Sequence, residues 1–74
     1  MNINIKDKNG NTPLANAILY KRIHFIDYLI NHGADLHSIN KNNKTIYELS
    51  AENINDYQGK IIFYKLKKYF DSFI

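Results

Sequence analysis

Three histidines, His24, His32 and His37, are the side chains that could hold a metal in a chain without cysteine. A metal-binding helix usually brings two ligands together at i and i+4. The intervals here are eight and five residues. His24 and His32 therefore share a helix two turns apart, and His37 lies beyond it. No Asp or Glu completes a ligand set, and His32, in a last helical turn, is placed to meet the helix dipole. No metal or other cofactor is expected. Ser38, Ser50 and Ser72 lack the local setting that activates a hydroxyl. Asp27 and Asp35 read as solvated or capping carboxylates rather than an acid–base pair. A phosphate loop needs clustered glycines, and the three present lie far apart. The expectation is a protein that is not an enzyme and takes no small-molecule substrate.

Charge and aromatic rings offer another chemistry. Lys60, Lys65, Lys67 and Lys68 interleave with tyrosine and phenylalanine near the C-terminus. Such a helix can meet nucleic acid or an acidic membrane surface. The formal charge of +3 is too small to favour either by itself. Most of the aromatics also recur at core spacing, which favours a helix that covers its neighbours. Nucleic-acid or membrane binding is kept as an alternative.

These residues must be positioned by short helices. Asn9-Gly10 is a turn dipeptide. Thr12 can cap a helix and Pro13 suits its first position, predicting a helix from about Pro13 to Tyr20 with Leu14, Ala17 and Ile18 inward. Ile26, Leu29 and Ile30 stand at i, i+3, i+4, predicting a second helix from about His24 to Asn31. Ile23 is expected to pack beneath the preceding turn, and Gly33 to close the helix in a left-handed conformation. Thr45-Ile46-Tyr47-Glu48 has the form of a capping box, predicting a third helix from Ile46 to about Glu52. Residues 53–56 read as a loop, with Asp56 capping a last helix to about Ser72. On that helix Ile62, Phe63, Leu66, Tyr69, Phe70 and Phe73 share one side. Lys60, Tyr64, Lys65, Lys67, Lys68 and Asp71 share the other.

The segment Asp7-Lys8-Asn9-Gly10-Asn11-Thr12 aligns with Asn40-Lys41-Asn42-Asn43-Lys44-Thr45 when shifted by 33 residues. A period of this length indicates stacked supersecondary units. Asp7-x-x-Gly10-x-Thr12-Pro13-Leu14, then Ala17, the apolar stripe and Gly33-Ala34-Asp35, resembles an ankyrin repeat. The resemblance implies an all-α, ankyrin-type helix-turn-helix solenoid of two repeats with a C-terminal capping helix. It divides the chain into a lead-in or tail of a preceding repeat (1–6), a repeat (7–39) and a degenerate final repeat acting as cap (40–74). The chain departs from the family pattern at several points. Ala15 replaces a His whose hydrogen bond braces neighbouring loops. Lys21 replaces the Gly between the helices, implying a tight or strained turn. Asn43, Ile46 and Ser50 stand for Gly, Pro and Ala. Gly59 falls where a core aliphatic is expected, which suggests a few inserted residues.

The resemblance implies a module for protein–protein interaction. Its partner-binding positions are Lys8, Asn9, Asn11, Leu19, Tyr20, Ile39, Lys41, Asn42 and Lys44, on the turn tips and the inner-helix ends. The surface is polar and mildly basic, so an unidentified protein with an acidic face is the expected partner. A start within a repeat also fits a truncated remnant or the end of a longer array with no partner of its own. Repeats bury their faces against neighbours, so Ile18 and Ile26 are expected to be partly open on the N-terminal side, inviting self-association. Residues 1–6 lack the apolar stretch of a signal peptide and no run is long enough to span a membrane. A cytoplasmic location is the expectation, with delivery into a host cell left open.

Overall fold

Four helices account for most of the computed structural model, which describes residues 2–71: α1 (Pro13–Leu19), α2 (Ile23–Asn31), α3 (Ile46–Glu52) and α4 (Tyr57–Asp71). Ser72 and Phe73, expected at the end of α4 and on its inner side, lie outside the described residues, as does the side chain of Asp71. The helices form two hairpins. α1 packs on α2, α3 packs on α4, and the hairpins meet through α1 and α3. Ile39 and Thr45 form an isolated antiparallel bridge, with no strand among the described residues.

Three of the four helices begin where a side chain accepts one of the free N–H groups. The Ala15 N–H donates to Thr12 Oγ1 at 3.3 Å, with Pro13 in the first turn. The Glu48 N–H donates to Thr45 Oγ1 at 3.1 Å, and the Thr45 N–H donates back to Glu48 Oε1 at 3.2 Å, closing the capping box. The Gly59 N–H donates to Asp56 Oδ1 at 2.7 Å. This bond to the backbone N–H, with nearby Lys21, holds the Asp56 carboxyl below its ordinary pKa. α2 begins one residue earlier than expected, at Ile23, and has no side-chain cap.

The two helices of the first hairpin end alike. The Ala34 N–H donates to Leu29 O and the Gly33 N–H to Ile30 O, with Gly33 at φ 88°. The Arg22 N–H donates to Ala17 O and the Lys21 N–H to Ile18 O, with Lys21 at φ 60°. Both are Schellman closures. At the second, a lysine occupies the left-handed position, which costs an L-residue about 1–2 kcal/mol. α1 therefore stops at Leu19, with Tyr20 as its cap. The lysine compensates with its long side chain: Nζ donates to Asn53 O at 3.2 Å and lies 3.5 Å from Asp56 Oδ1.

The core joins Leu14, Ala17 and Ile18 to Ile26 and Leu29, Ile46 and Leu49, and Ile62 and Leu66. Ile18 and Ile26 are 1% and 0% exposed, which corrects the expectation of an open side at these residues. Ile3 of the lead-in packs against the core. The Asp35 N–H donates to Asn4 Oδ1 at 2.8 Å, tying the lead-in down. On α2 the large apolar side chains left exposed are Phe25 and Tyr28, whose rings stack at 5.8 Å.

Three further expectations change. The loop before α4 spans four residues (53–56) against three (20–22) before α2, an insertion of one residue rather than a few. Gly59 is buried, and a Cβ there would lie 1.8 Å from Asn53 O, so no core aliphatic fits at this position. Lys65, expected on the solvent side of α4, reaches across to α2, with Nζ 3.0 Å from Asp27 Oδ1 and 3.1 Å from Oδ2. Asp27 is thus an ion-pair member rather than a solvated or capping carboxylate. Asp35 does cap a turn, accepting from the His37 N–H at 2.8 Å.

Candidate functional site

The two aligned turns are built bond for bond alike. In the first, Asp7 Oδ1 accepts the N–H groups of Asn9 (2.9 Å) and Asn11 (3.0 Å). In the second, Asn40 Oδ1 accepts those of Asn42 and Lys44, both at 3.0 Å. The Asp7 and Asn40 amides donate to Asn11 O and Lys44 O, each at 3.0 Å. Their carbonyls accept from Gly10 and Asn43, each at 2.9 Å. Gly10 and Asn43 both have positive φ, 78° and 64°. Asn can stand for Gly because its short side chain tolerates that region.

The turns are also tied together. The Lys41 N–H donates to Asn9 O at 3.0 Å, and Asn40 Nδ2 donates to Asn11 Oδ1 at 2.9 Å. Lys6 Nζ donates to Ile39 O at 3.0 Å. Adjacent loops are therefore braced despite Ala15, which is buried in the core. Gly10 belongs to this contact, since a Cβ there would lie 2.7 Å from the Lys41 nitrogen.

Of the nine expected binding residues, Lys8, Asn9, Ile39, Lys41 and Asn42 are exposed and brought together at the tips. Asn11 is not available to a partner: it is 7% exposed and its side chain is committed to Asn40. Lys44 is half-buried and ion-paired with Glu52. The hydrogen bond and charge of Glu52 raise its pKa. Leu19 and Tyr20 lie at the far end of α1, and Tyr20 is 71% exposed.

Asn16 links the two groups. Its Nδ2 donates to Asp7 Oδ2 at 3.1 Å, so this side of α1 begins beneath the first turn. Leu19 and Tyr20 follow at i+3 and i+4, on the same helical stripe. Sequence reasoning missed Asn16, although a polar residue at this spacing from Tyr20 was a usable signal. The Asn16 bond, with the Asn11 and Asn9 amides, holds the Asp7 carboxyl below its ordinary pKa. The tips carry Lys6, Lys8 and Lys41 around one anionic carboxylate, leaving the surface basic.

The histidines do not converge. The His32 ring lies 4.2 Å from Tyr28, and His37 meets Phe70 edge-on at 6.2 Å. Among the described residues no three His, Asp or Glu side chains could hold a metal ion, and no helix is long and apolar enough to cross a membrane. A family model described as ankyrin repeats (many copies) matches residues 1–50.

Proposed function

Because the chain belongs to the ankyrin-repeat family, whose domains are in general protein–protein interaction modules, we propose that it binds a protein segment along its turn tips and the exposed stripe of α1. The contact residues are Lys8, Asn9, Ile39, Lys41 and Asn42 at the tips and Leu19 and Tyr20 on the stripe. In this reading the repeats run from 7 to 39 and, as a degenerate cap, from 40 to 74, with residues 1–6 as a lead-in or the tail of a preceding repeat. One observation carries this reading. Each turn is held by Asp7 or Asn40 Oδ1 and by backbone bonds, so the side chains of Lys8, Asn9, Lys41 and Asn42 project from it and take no part in those bonds.

The basic tips favour an acidic partner, chiefly through faster encounter. Tyr20 is the anchor, because an exposed tyrosine supplies large contact area with few torsions to freeze. No step of this function needs catalysis. Nucleic-acid or membrane binding through α4 is weakened by the commitment of Lys65 to Asp27.

Native capture with immobilised variants tests the surface. Tyr20→Ala combined with Lys41→Ala should lower recovery of a specific partner by about tenfold. Lys60→Ala with Lys68→Ala should leave that recovery unchanged. The reverse pattern would move the site to α4 and refute the proposal.

A further inference from the structure

We propose that the outer face of α4 is a second docking surface, which receives an acidic amphipathic helix of a partner protein. This surface is separate from the turn tips and does not depend on them. Tyr57, Lys60, Ile61, Tyr64, Lys65 and Lys68 line a shallow groove along the helix. They recur at i, i+3, i+4, i+7, i+8 and i+11, one continuous stripe, opposite the buried Ile62 and Leu66.

A covering helix that needed only solubility would be polar on this side. Here Tyr57 is 78% and Tyr64 66% exposed, with half-buried Ile61 between them. The floor is thus apolar and aromatic. No carboxylate lines the groove. Lys65 is neutralised from behind by Asp27. Lys60 and Lys68 remain as exposed cations at the two ends, neither ion-paired among the described residues. Lys68 Nζ rests 5.5 Å from the Tyr69 ring, a contact that leaves its N–H groups free to donate.

The occupant follows from this layout. The two end lysines are eight residues apart, about 12 Å along the axis. Their complement is a helix with carboxylates about two turns apart, bracketing an apolar or aromatic stripe that meets Ile61 and the tyrosines. Nucleic acid fits less well, because two free lysines neutralise few phosphates. A bilayer fits less well, because the groove's one aliphatic side chain, Ile61, is partly covered and leaves little apolar surface to insert.

The probe is a fluorescein-labelled synthetic peptide of about 15 residues, with Glu at the flanks and Leu and Phe at helical spacing. Its companions are a scrambled peptide of the same composition, labelled oligo-dT, and phosphatidylserine vesicles. Anisotropy titrations give affinity, and amide shifts of the wild-type protein give the site. The expected result is that the amphipathic peptide binds at least about tenfold tighter than the scrambled one. Binding should weaken with salt, and the shifts should fall on residues 57–68. Tyr64→Ala, or Lys60→Glu with Lys68→Glu, should cost about tenfold, whereas Tyr20→Ala should cost nothing. Equal binding of the scrambled peptide, tighter binding of oligo-dT or vesicles, shifts confined to the turn tips, or no binding would each overturn the proposal. The shift map needs no variant, so a variant that fails to fold does not protect the idea.

Discussion

Gly59→Ala should destabilise this protein, although the same change in most helices stabilises it. Alanine is favoured over glycine by at most about 1 kcal/mol in a helix. At Gly59, however, the new Cβ would lie 1.8 Å from Asn53 O and 2.9 Å from the Asn53 carbonyl carbon. Overpacking of this kind costs about 1–3 kcal/mol. The obstacle is backbone and cannot rotate away, so the upper end applies. Subtracting the helix gain leaves a loss of about 2 kcal/mol. For a domain of this size that lowers Tm by about 8–16 °C. Moving Asn53 O would also disturb the bond it accepts from Lys21 Nζ.

Thermal and urea unfolding followed by circular dichroism measure this directly, with the other glycines as internal controls. At Gly33 a Cβ meets nothing within 4 Å and φ is 88°, so alanine should cost only the backbone term of about 1–2 kcal/mol. Gly10 combines a φ of 78° with a 2.7 Å approach to the Lys41 nitrogen, so Gly10→Ala should exceed Gly33→Ala. A Gly59→Ala protein that melts at or above the wild-type temperature would refute the reasoning. It would show that the 53–56 loop can lift off α4 at no cost.

The left-handed Lys21 and the two low-pKa carboxylates give the remaining predictions. Lys21→Met keeps the backbone strain but loses the bond to Asn53 O and the ion pair with Asp56, so it should cost about 1 kcal/mol. Lys21→Gly loses the same contacts but relieves the strain, so it should be the milder of the two in urea unfolding, and a harsher glycine would contradict the strain. Asp7 and Asp56 have folded-state pKa values below their ordinary ones. Their contribution is therefore present above the ordinary carboxylate range and is lost as pH falls through the folded values. Melting temperature should hold from about pH 7 to about pH 5 and then fall. Asp7→Asn should start lower and fall less steeply, because its oxygen can still accept from Asn9 and Asn11 as Asn40 does at the second turn. An unchanged acid limb in Asp7→Asn would remove Asp7 from this account.

What was legible in the sequence was mostly local. The Thr12 cap, the Thr45–Glu48 box, the Asp56 cap and the Gly33 closure all join groups within a few residues, so residue type and spacing carry the information. The 33-residue match carried more than its few identities promised. Asp7 and Asn40 differ in charge but offer the same Oδ1 to the same two amides. Long-range effects were not legible. The Asp27–Lys65 pair spans 38 residues, and helical periodicity alone put Lys65 in solvent. The burial of Asn11 depends on Asn40, 29 residues away. The burial of Ile18 and Ile26 depends on the whole core, against which the fold brings Ile3 from the lead-in. Lys21 was visible as a misfit to the pattern, but its repair through Asn53 and Asp56 required the second hairpin to be in place.

The two proposed surfaces place different demands on the sequence. At the turns, the residues that set the backbone are Asp7, Gly10, Asn11, Asn40 and Asn43, and those that face outward are Lys8, Asn9, Lys41 and Asn42. The two sets do not overlap, because the bonds of the turn run through the side chains of Asp7, Asn11 and Asn40 and through backbone groups. Outward residues can therefore change to suit a partner with little effect on stability. On α4 the separation is less complete. Lys65 lines the groove and also ties α4 to α2 through Asp27, and half-buried Ile61 lies between the exposed tyrosines. Substitution along that groove would alter packing as well as recognition. If both proposed surfaces bind, partner choice can vary freely at the turn tips, whereas recognition by α4 is coupled to the integrity of the fold.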